Sequence, residues 1–163
     1  MPPPQSETLP RGGADPLAER RFADALEEAR SRTLALVWSV HDADLERVHD
    51  PLMSPLVWDL GHIAAYEDLW VCRCSARPIE PLRPDLAEVY DASESERCDR
   101  GDLPYLRRDD ALAYLERVRE RTLSVLAETD LSETGGELNA GGFAWDMLVQ
   151  HEHQHNETMI QTL

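Results

Sequence analysis

Two histidines four residues apart, His151 and His155, lie in the segment HEHQH near the end of the 163-residue chain. Residues four apart on an α-helix differ by about 40° around the helix axis, so both imidazoles project from one face. His153 lies about 200° away from His151 and points elsewhere. Imidazoles on a buried face carry a desolvation cost unless something satisfies them, and a metal ion would do so. The stripe that is expected to face the core consists of Ala144, Met147, Leu148, His151, His155 and Met159.

Other interpretations of this pair stay open at this point. Two histidines at this spacing also occur on solvated helix faces and as hydrogen-bonded core residues. The letters HExxH match the zinc-protease signature, in which Glu152 would activate a zinc-bound water. That signature needs a third ligand downstream, but Thr158 and Gln161 occupy the positions where Gly and His are required, and Glu157 is too close in sequence. The protease interpretation therefore fails, unless the chain is a fragment that has lost its ligand.

A third histidine, His62, lies on another apolar helical stretch. A lone histidine on such a helix is more often a satisfied core residue than a ligand. Beside His151 and His155, however, it becomes the obvious third ligand. Asp59 lies one turn earlier and could orient a ligand imidazole as an outer partner. Gly61 weakens the helix but lets another backbone or a ligand approach closely.

Length and charge limit the class of protein. The chain is long enough for one domain with a single core. Its 32 acidic and 16 basic residues give a net charge of −16. This balance argues against nucleic acid and anionic membranes as partners, and the apolar runs are too short for a membrane span. We therefore expect a soluble, cytoplasmic protein.

The ends of the chain and its cysteines add little chemistry. Residues 1–14 are rich in proline and lack the features of a signal peptide, so they predict a disordered tail before a domain over 15–163. The three cysteines are Cys72, Cys74 and Cys98. Their odd number and C-x-C spacing do not form a disulfide framework and indicate a reducing compartment.

Helical periodicity predicts four amphipathic helices and no sheet. Asp15–Pro16 and Ser54–Pro55 each combine a capping side chain with a proline at the first helical position, and they predict the first two helix starts. The first helix is expected over residues 16–41, the third over 109–128 and the fourth from about Phe143 onwards. Arg–Glu neighbours on the third helix predict a solvated outer face.

A Pro-rich, charged segment over residues 77–110 separates helices two and three, with a short helix expected around 85–90. A connection of this length in a compact domain is typically functional or mobile. Arg97 and Arg100 within it could bind an anionic substrate or belong to a solvated loop. The predicted fold is an all-α four-helix bundle with a long crossover between helices two and three, an architecture that can hold a metal in its core.

Two segments carry a specific resemblance: DPLMSPLVWDLGHIAAYEDLWVCR over residues 50–73 and HEHQHNETMIQTL over 151–163. They resemble the metal-binding segments of the ergothioneine-biosynthesis sulfoxide synthases of the hercynine oxygenase type. These are non-haem iron enzymes with an N-terminal DinB-like helical bundle, and the similarity extends from about Leu17 onwards. It implies that His62, His151 and His155 bind Fe(II). Asn156, next to His155, is a candidate outer partner.

The resemblance also implies a reaction. Family members join the thiol of cysteine or γ-glutamylcysteine to C2 of trimethylhistidine, with dioxygen as the oxidant and a sulfoxide as the product. Three neutral imidazoles on one side of Fe(II) leave up to three open positions, which suits a reaction that brings several reactants together.

The chain departs from the family in two respects. Members carry a C-terminal domain, similar to formylglycine-generating enzymes, that supplies the catalytic tyrosine, and this chain stops before it. Its fourth helix has no stop signal, so we expect the chain to be cut there. Tyr66 stands where a glutamine that contacts the imidazole substrate is expected. Tyr66 is therefore a candidate substrate contact, and a selenium-incorporating or ovothiol-type relative stays open.

Two classes of function follow from these observations. The first is the metal-binding part of an iron oxygenase. The second is a free-standing DinB-like bundle that acts as a metal-dependent thiol transferase or binding module. An open reading frame that continues into a second domain would favour the first.

We predict that a single metal ion is held by His62, His151 and His155, with His153 outside the site. Because His153 points from another face of its helix, His153→Ala should retain the metal, whereas His155→Ala should lose it. Metal analysis of the purified single variants checks this. Loss of metal from His153→Ala together with retention by His155→Ala would contradict the assignment.

Overall fold

The computed structural model describes residues 15–163, which form an all-α bundle without a β-strand in that range. The tail predicted for residues 1–14 lies outside the described residues. Four long helices build the bundle: α1 Pro16–Val37, α2 Leu56–Cys74, α3 Arg108–Ala127 and α4 Phe143–Thr162. The prediction of a four-helix bundle is confirmed. None of the helices within 15–163 combines the length and the apolar character that a membrane span requires.

The helix starts follow the sequence signals only in part. Asp15 caps α1 as predicted, because its side chain accepts a hydrogen bond from the Leu17 amide at 3.0 Å. The prediction for the second helix was wrong: no side chain caps α2, which begins at Leu56. The Ser54 hydroxyl is buried and instead accepts a hydrogen bond from Arg100 at 2.9 Å. A tertiary partner has thus replaced the local cap.

Two apolar clusters at opposite ends of the bundle establish the direction of each helix. One cluster contains residues from the end of α1, the start of α2, the start of α3 and the end of α4, namely Val37, Leu56, Ala111 and Met159. The other contains residues from the opposite ends of the same helices, namely Phe22, Val71, Leu126 and Ala144. Helices α1 and α4 therefore run in one direction, and α2 and α3 run in the other.

Because α2 and α3 are parallel, the chain must return along the whole bundle between them. The crossover occupies residues 75–107, close to the predicted range. The short helix expected around 85–90 is a single 3₁₀ turn, Pro84–Leu86, and a second 3₁₀ segment spans Arg97–Asp102. Trp58 of α2 packs with Leu86 and Tyr90 of the crossover in a third apolar cluster. The crossover is thereby held against the outer face of α2.

The centre of the bundle contains four charged side chains, one from each helix: Arg30, Glu67, Arg119 and Glu152. Arg30 donates to Glu67 at 2.8 Å and to Glu152 at 2.7 Å. Arg119 donates to the same two carboxylates, each at 2.9 Å. The four side chains are at most 7% exposed. We call this group the central ionic network, and it joins all four helices.

The network is balanced in charge, with two guanidiniums and two carboxylates. Burial alone would raise the pKa of Glu67, but the charges of Arg30 and Arg119 outweigh burial and lower its pKa. The Nη1 group of Arg30 donates a further hydrogen bond to the Leu115 carbonyl at 2.9 Å. The expectation that the Arg–Glu neighbours of the third helix form a solvated face was wrong at Arg119, which is buried.

We predict that Arg119→Met destabilises the bundle by about 3–5 kcal/mol, because two buried carboxylates would then share one guanidinium. The matched control is Arg20→Met, whose side chain is 82% exposed beside Asp24. It should change the free energy of unfolding by no more than about 0.5 kcal/mol. Urea unfolding of both variants checks this, and equal effects would show that the network does not stabilise the fold.

Candidate metal centre

The antiparallel packing of α2 and α4 brings the three predicted histidines together. His62 comes from α2, and His151 and His155 come from α4. Each offers one ring nitrogen, and these atoms all lie within 4.8 Å of one another. The Nε2 atoms of His62 and His151 are 3.2 Å apart. The structure therefore forms the cluster that the sequence predicts, and metal binding by it stays a prediction.

Two hydrogen bonds orient the imidazoles. His62 Nδ1 lies 2.7 Å from the backbone carbonyl oxygen of Tyr90. Because a carbonyl can only accept, His62 carries its proton on Nδ1, and its Nε2 lone pair faces the cluster. His155 Nδ1 lies 3.2 Å from Asp59 Oδ1, which leaves Nε2 of His155 free in the same way.

Asp59 was expected to orient a ligand imidazole, and the imidazole that it contacts is that of His155. It reaches α4 because α2 and α4 are antiparallel, so a residue one turn before His62 lies level with a residue one turn after His151. The sequence spacing could not reveal which of the three histidines this would be. The role of Asp59 as an outer partner of a metal ligand stays a prediction.

The second oxygen of Asp59 provides a test of whether a metal fits. Asp59 Oδ2 is buried and has no hydrogen-bond partner among the described residues. A buried carboxylate with a free oxygen is costly unless positive charge lies nearby. The Arg100 guanidinium lies close enough to interact with Asp59, and a cation bound to His155 would supply further positive charge on the side of the histidines. The 3.2 Å between the His62 and His151 nitrogens also suits two ligands of one ion, since nitrogens about 2.1 Å from a shared metal lie about 3.0–3.4 Å apart.

The electrostatic surroundings keep two of the imidazoles neutral at pH 7. Burial, with a smaller effect of His155, lowers the pKa of His62 to about 4. Burial and the neighbouring His155 and His62 lower the pKa of His151 to about 2. Neutral imidazole is the form that binds metal ions. These two imidazoles are therefore already in the metal-binding state at physiological pH.

Aromatic side chains flank the cluster, and a cavity of about 390 Å³ adjoins it. Trp58 stacks on His62 with ring centroids 4.9 Å apart. Tyr66 stacks on His151 with centroids 3.7 Å apart. Tyr66 also lines the cavity, so the residue predicted to contact a substrate lies between the imidazoles and the open space. The cavity is bounded by α2, the crossover and α3, through His62, Tyr66, Arg83, Tyr90, Asp91 and Tyr114.

Arg97 and Arg100 are not among the residues that line this cavity. Arg100 is buried, donates to the Ser54 hydroxyl and stacks 4.0 Å from the centre of the Trp58 ring. Arg97 is exposed and donates to the Leu52 carbonyl at 3.3 Å. In this structure Arg100 holds the crossover against the start of α2. Contact of either arginine with a substrate stays a prediction.

Three residues beside the two α4 histidines face away from the cluster. Asn156 accepts a hydrogen bond from the Thr33 hydroxyl at 2.9 Å and donates to the Ala29 carbonyl at 3.3 Å, so its expected role as an outer partner was wrong.

His153 lies 3.5 Å from Glu28, on the α1 side, as its helical phase predicts. Glu152 belongs to the central ionic network, which adds a structural argument against the zinc-protease interpretation.

The cysteines remain free, as expected from the sequence. Burial raises the pKa of Cys74 to about 11 and also raises the pKa of Cys72. Thiols with raised pKa values are poor nucleophiles and poor metal ligands at neutral pH. These two cysteines therefore serve the packing of α2.

Sequence reasoning missed the contribution of Tyr90 and Trp58. Trp58 lies four residues before His62 on the same helical face, a spacing that could have indicated stacking. The bond from His62 to Tyr90 uses a backbone carbonyl, which any residue possesses. No side-chain pattern could have identified it.

We predict opposite effects of Asp59→Asn on metal affinity and on the stability of the metal-free protein. Loss of the carboxylate beside His155 should weaken metal binding by about 10–100-fold. The metal-free protein should be at least as stable as the wild type, because a buried, half-satisfied charge has been removed. Metal titration and urea unfolding in a chelator check the two effects. A variant that loses stability without losing metal affinity would show that Asp59 acts only in folding.

Comparison with known proteins shows the family of the chain. Proteins named hercynine oxygenase from Mycolicibacterium smegmatis, Mycolicibacterium thermoresistibile and Mycobacterium tuberculosis are 43%, 45% and 44% identical to it. These alignments cover 90%, 87% and 88% of this chain but 33%, 30% and 32% of the relatives. The chain thus spans about a third of the length of the curated relatives it matches. The model of the DinB superfamily matches residues 25–159, and the chain belongs to that superfamily.

Proposed function

We propose that this chain is the metal-binding domain of a non-haem Fe(II), dioxygen-dependent sulfoxide synthase. The enzyme would join the thiol of cysteine or γ-glutamylcysteine to trimethylhistidine in ergothioneine biosynthesis. The observation that carries the proposal is the cluster of His62, His151 and His155, whose ring nitrogens lie within 4.8 Å of one another. The similarity to proteins named hercynine oxygenase supports the choice of substrate and oxidant.

The ligand set is compatible with a redox role for the metal. Fe(II) bound by three neutral imidazoles would supply open coordination positions and a path for electrons from the substrates to dioxygen. The protein contributes orientation: Tyr90 fixes the ring of His62, and Asp59 fixes the ring of His155. Trp58 and Tyr66 stack on the faces of His62 and His151.

The adjoining cavity suits a small amino-acid derivative. A volume of about 390 Å³ lies in the range of small-molecule sites. Its lining includes one anionic side chain, Asp91, and one cationic side chain, Arg83, which donates to both carboxylate oxygens of Asp85 and which a substrate carboxylate would have to share. A substrate with both a carboxylate and a quaternary ammonium group needs partners of both signs, and tyrosine rings bind quaternary ammonium groups well. Tyr66 is the partly exposed ring at this cavity, and the rings of Tyr90 and Tyr114 line it but are almost completely buried.

We infer that turnover requires a second domain in the same parent chain. The chain spans about a third of each relative, and the resemblance assigns the catalytic tyrosine to a C-terminal domain. Such a domain would close over the cluster, exclude water and orient both substrates. Proximity and orientation can account for about 7–11 kcal/mol of a barrier, so the bundle alone should bind metal without forming product.

We predict that the complete open reading frame, loaded anaerobically with Fe(II), consumes dioxygen and forms a C–S product from thiol and trimethylhistidine. Oxygen uptake and mass spectrometry check this, with the zinc-loaded enzyme as the control. Imidazole sites bind zinc more tightly than Fe(II), so the metal must be exchanged deliberately.

Two outcomes would contradict parts of the proposal. Equal turnover with zinc and no oxygen consumption would favour a metal-dependent thiol transferase instead. Product formed by residues 1–163 alone, at a rate near that of the complete protein, would show that the bundle needs no second domain.

A further inference from the structure

Tyr90 of the crossover packs directly on the backbone of α2 at Gly61. A Cβ atom built on Gly61 would overlap the Tyr90 ring. Glycine in the interior of a helix is unfavourable relative to alanine, so its presence at this position needs a compensating contact. The close approach of the ring provides one. The contact occurs at the residue immediately before His62.

Tyr90 is held at three points. Its ring lies on Gly61, its hydroxyl accepts a hydrogen bond from the Leu106 amide at 2.9 Å, and its carbonyl accepts from His62 Nδ1 at 2.7 Å. The side chain is almost completely buried. The ring and the carbonyl belong to the same residue, so a displacement of the ring that shifts the backbone of Tyr90 also moves the carbonyl that His62 uses.

A second hydrogen bond supports the same segment. The Trp58 indole donates to the carbonyl of Val89 at 3.0 Å. Two side chains on successive turns of α2, Trp58 and His62, thus bind two successive carbonyls of the crossover. Trp58 also stacks on His62. The imidazole is therefore held at its edge by the hydrogen bond to the Tyr90 carbonyl and on one face by the indole ring of Trp58.

We propose that Tyr90 is a positioning residue for the metal centre. Its ring, packed on Gly61, places its own carbonyl so that the His62 proton stays on Nδ1 and the Nε2 lone pair faces His151 and His155. In the other neutral tautomer, His62 would present an N–H to the cluster and could not bind the metal. This proposal rests on the proposed metal-binding function of the three histidines.

The consequence is that metal affinity depends on the packing of the crossover. Outer partners that orient ligating histidines typically change metal affinity by about 10–100-fold when they are removed. Here the partner is a backbone atom, so its position depends on the side chain of Tyr90 and on the missing side chain of Gly61. A substitution at either residue should weaken metal binding without altering any ligand.

The test is a double-mutant cycle in residues 1–163, with Co(II) as the spectroscopic probe. Gly61→Ala should displace the Tyr90 ring and weaken Co(II) binding by about 10–100-fold, and Tyr90→Ala should have a similar effect. The double variant should bind no more weakly than Tyr90→Ala alone, because removal of the ring makes room for the new methyl group. Tyr90→Phe keeps the ring on Gly61 and loses only the bond to the Leu106 amide, so its Co(II) affinity should lie between those of the wild type and Tyr90→Ala.

A steric control and a direct observation of the tautomer distinguish a loss of His62 orientation from a general loss of structure. A Cβ on Gly101 would meet Val48 Cγ2 at 2.6 Å, a milder steric overlap elsewhere in the crossover than the one at Gly61, where atoms of Tyr90 lie at 2.1–2.5 Å. Gly101→Ala should leave Co(II) affinity unchanged. Nitrogen-15 NMR of the imidazoles in metal-free protein should show His62 protonated at Nδ1 in the wild type and Tyr90→Phe, and a mixture of tautomers in Gly61→Ala and Tyr90→Ala.

Each outcome decides the proposal. If Gly61→Ala retains both wild-type Co(II) affinity and the Nδ1–H tautomer, the role of Tyr90 is overturned while the metal centre stands. If the wild type itself binds no Co(II), the proposed metal centre fails as well. If Gly61→Ala does not fold, the comparison of Tyr90→Ala with Tyr90→Phe decides, and equal tautomers and affinities in these two variants would overturn the proposal.

Discussion

The central ionic network determines how the four helices are oriented around their own axes. Each helix contributes one buried charge, and loss of any partner would leave an uncompensated charge in the core, which costs several kcal/mol. A rotation of α4 by one residue would move Glu152 about 100° away from Arg30 and Arg119. Glu152 directly follows His151 in the sequence. The rotation that satisfies Glu152 is therefore also the rotation that points His151 and His155 at α2.

Helix α2, like α4, contributes one residue to the central ionic network and other residues to the surroundings of the histidine cluster. Glu67 faces the network, while Asp59 and His62, on another face, look toward α4 and the crossover. The parallel arrangement of α2 and α3 requires the chain to pass along the bundle between them, and this passage covers the outer face of α2. The crossover thus supplies both a wall of the cavity and the carbonyl that orients His62. Fold topology and ligand geometry depend on the same segment.

The features that could be predicted from the sequence were those with a local signal. The 3.6-residue period of the apolar residues predicted the four helices. The four-residue spacing of His151 and His155 predicted that both lie on one face. The features that could not be predicted depend on which helices meet. Arg119 is buried, whereas Arg117, two residues earlier on α3, is exposed, and the tertiary partners of Arg119 explain its burial. The partner of Asp59 lies on α4 because α2 and α4 are antiparallel. Ser54 does not cap α2, because its hydroxyl accepts a hydrogen bond from Arg100 instead.

The central claim is that the bundle holds one metal ion through three imidazoles. X-ray absorption at the iron edge of the anaerobic, Fe(II)-loaded protein tests it most directly, because multiple scattering from imidazole rings counts the histidine ligands. The account predicts three imidazoles in the first coordination sphere, with light-atom ligands in the remaining positions. A spectrum with fewer than three imidazoles, or with a sulfur ligand from a cysteine of the chain, would contradict it.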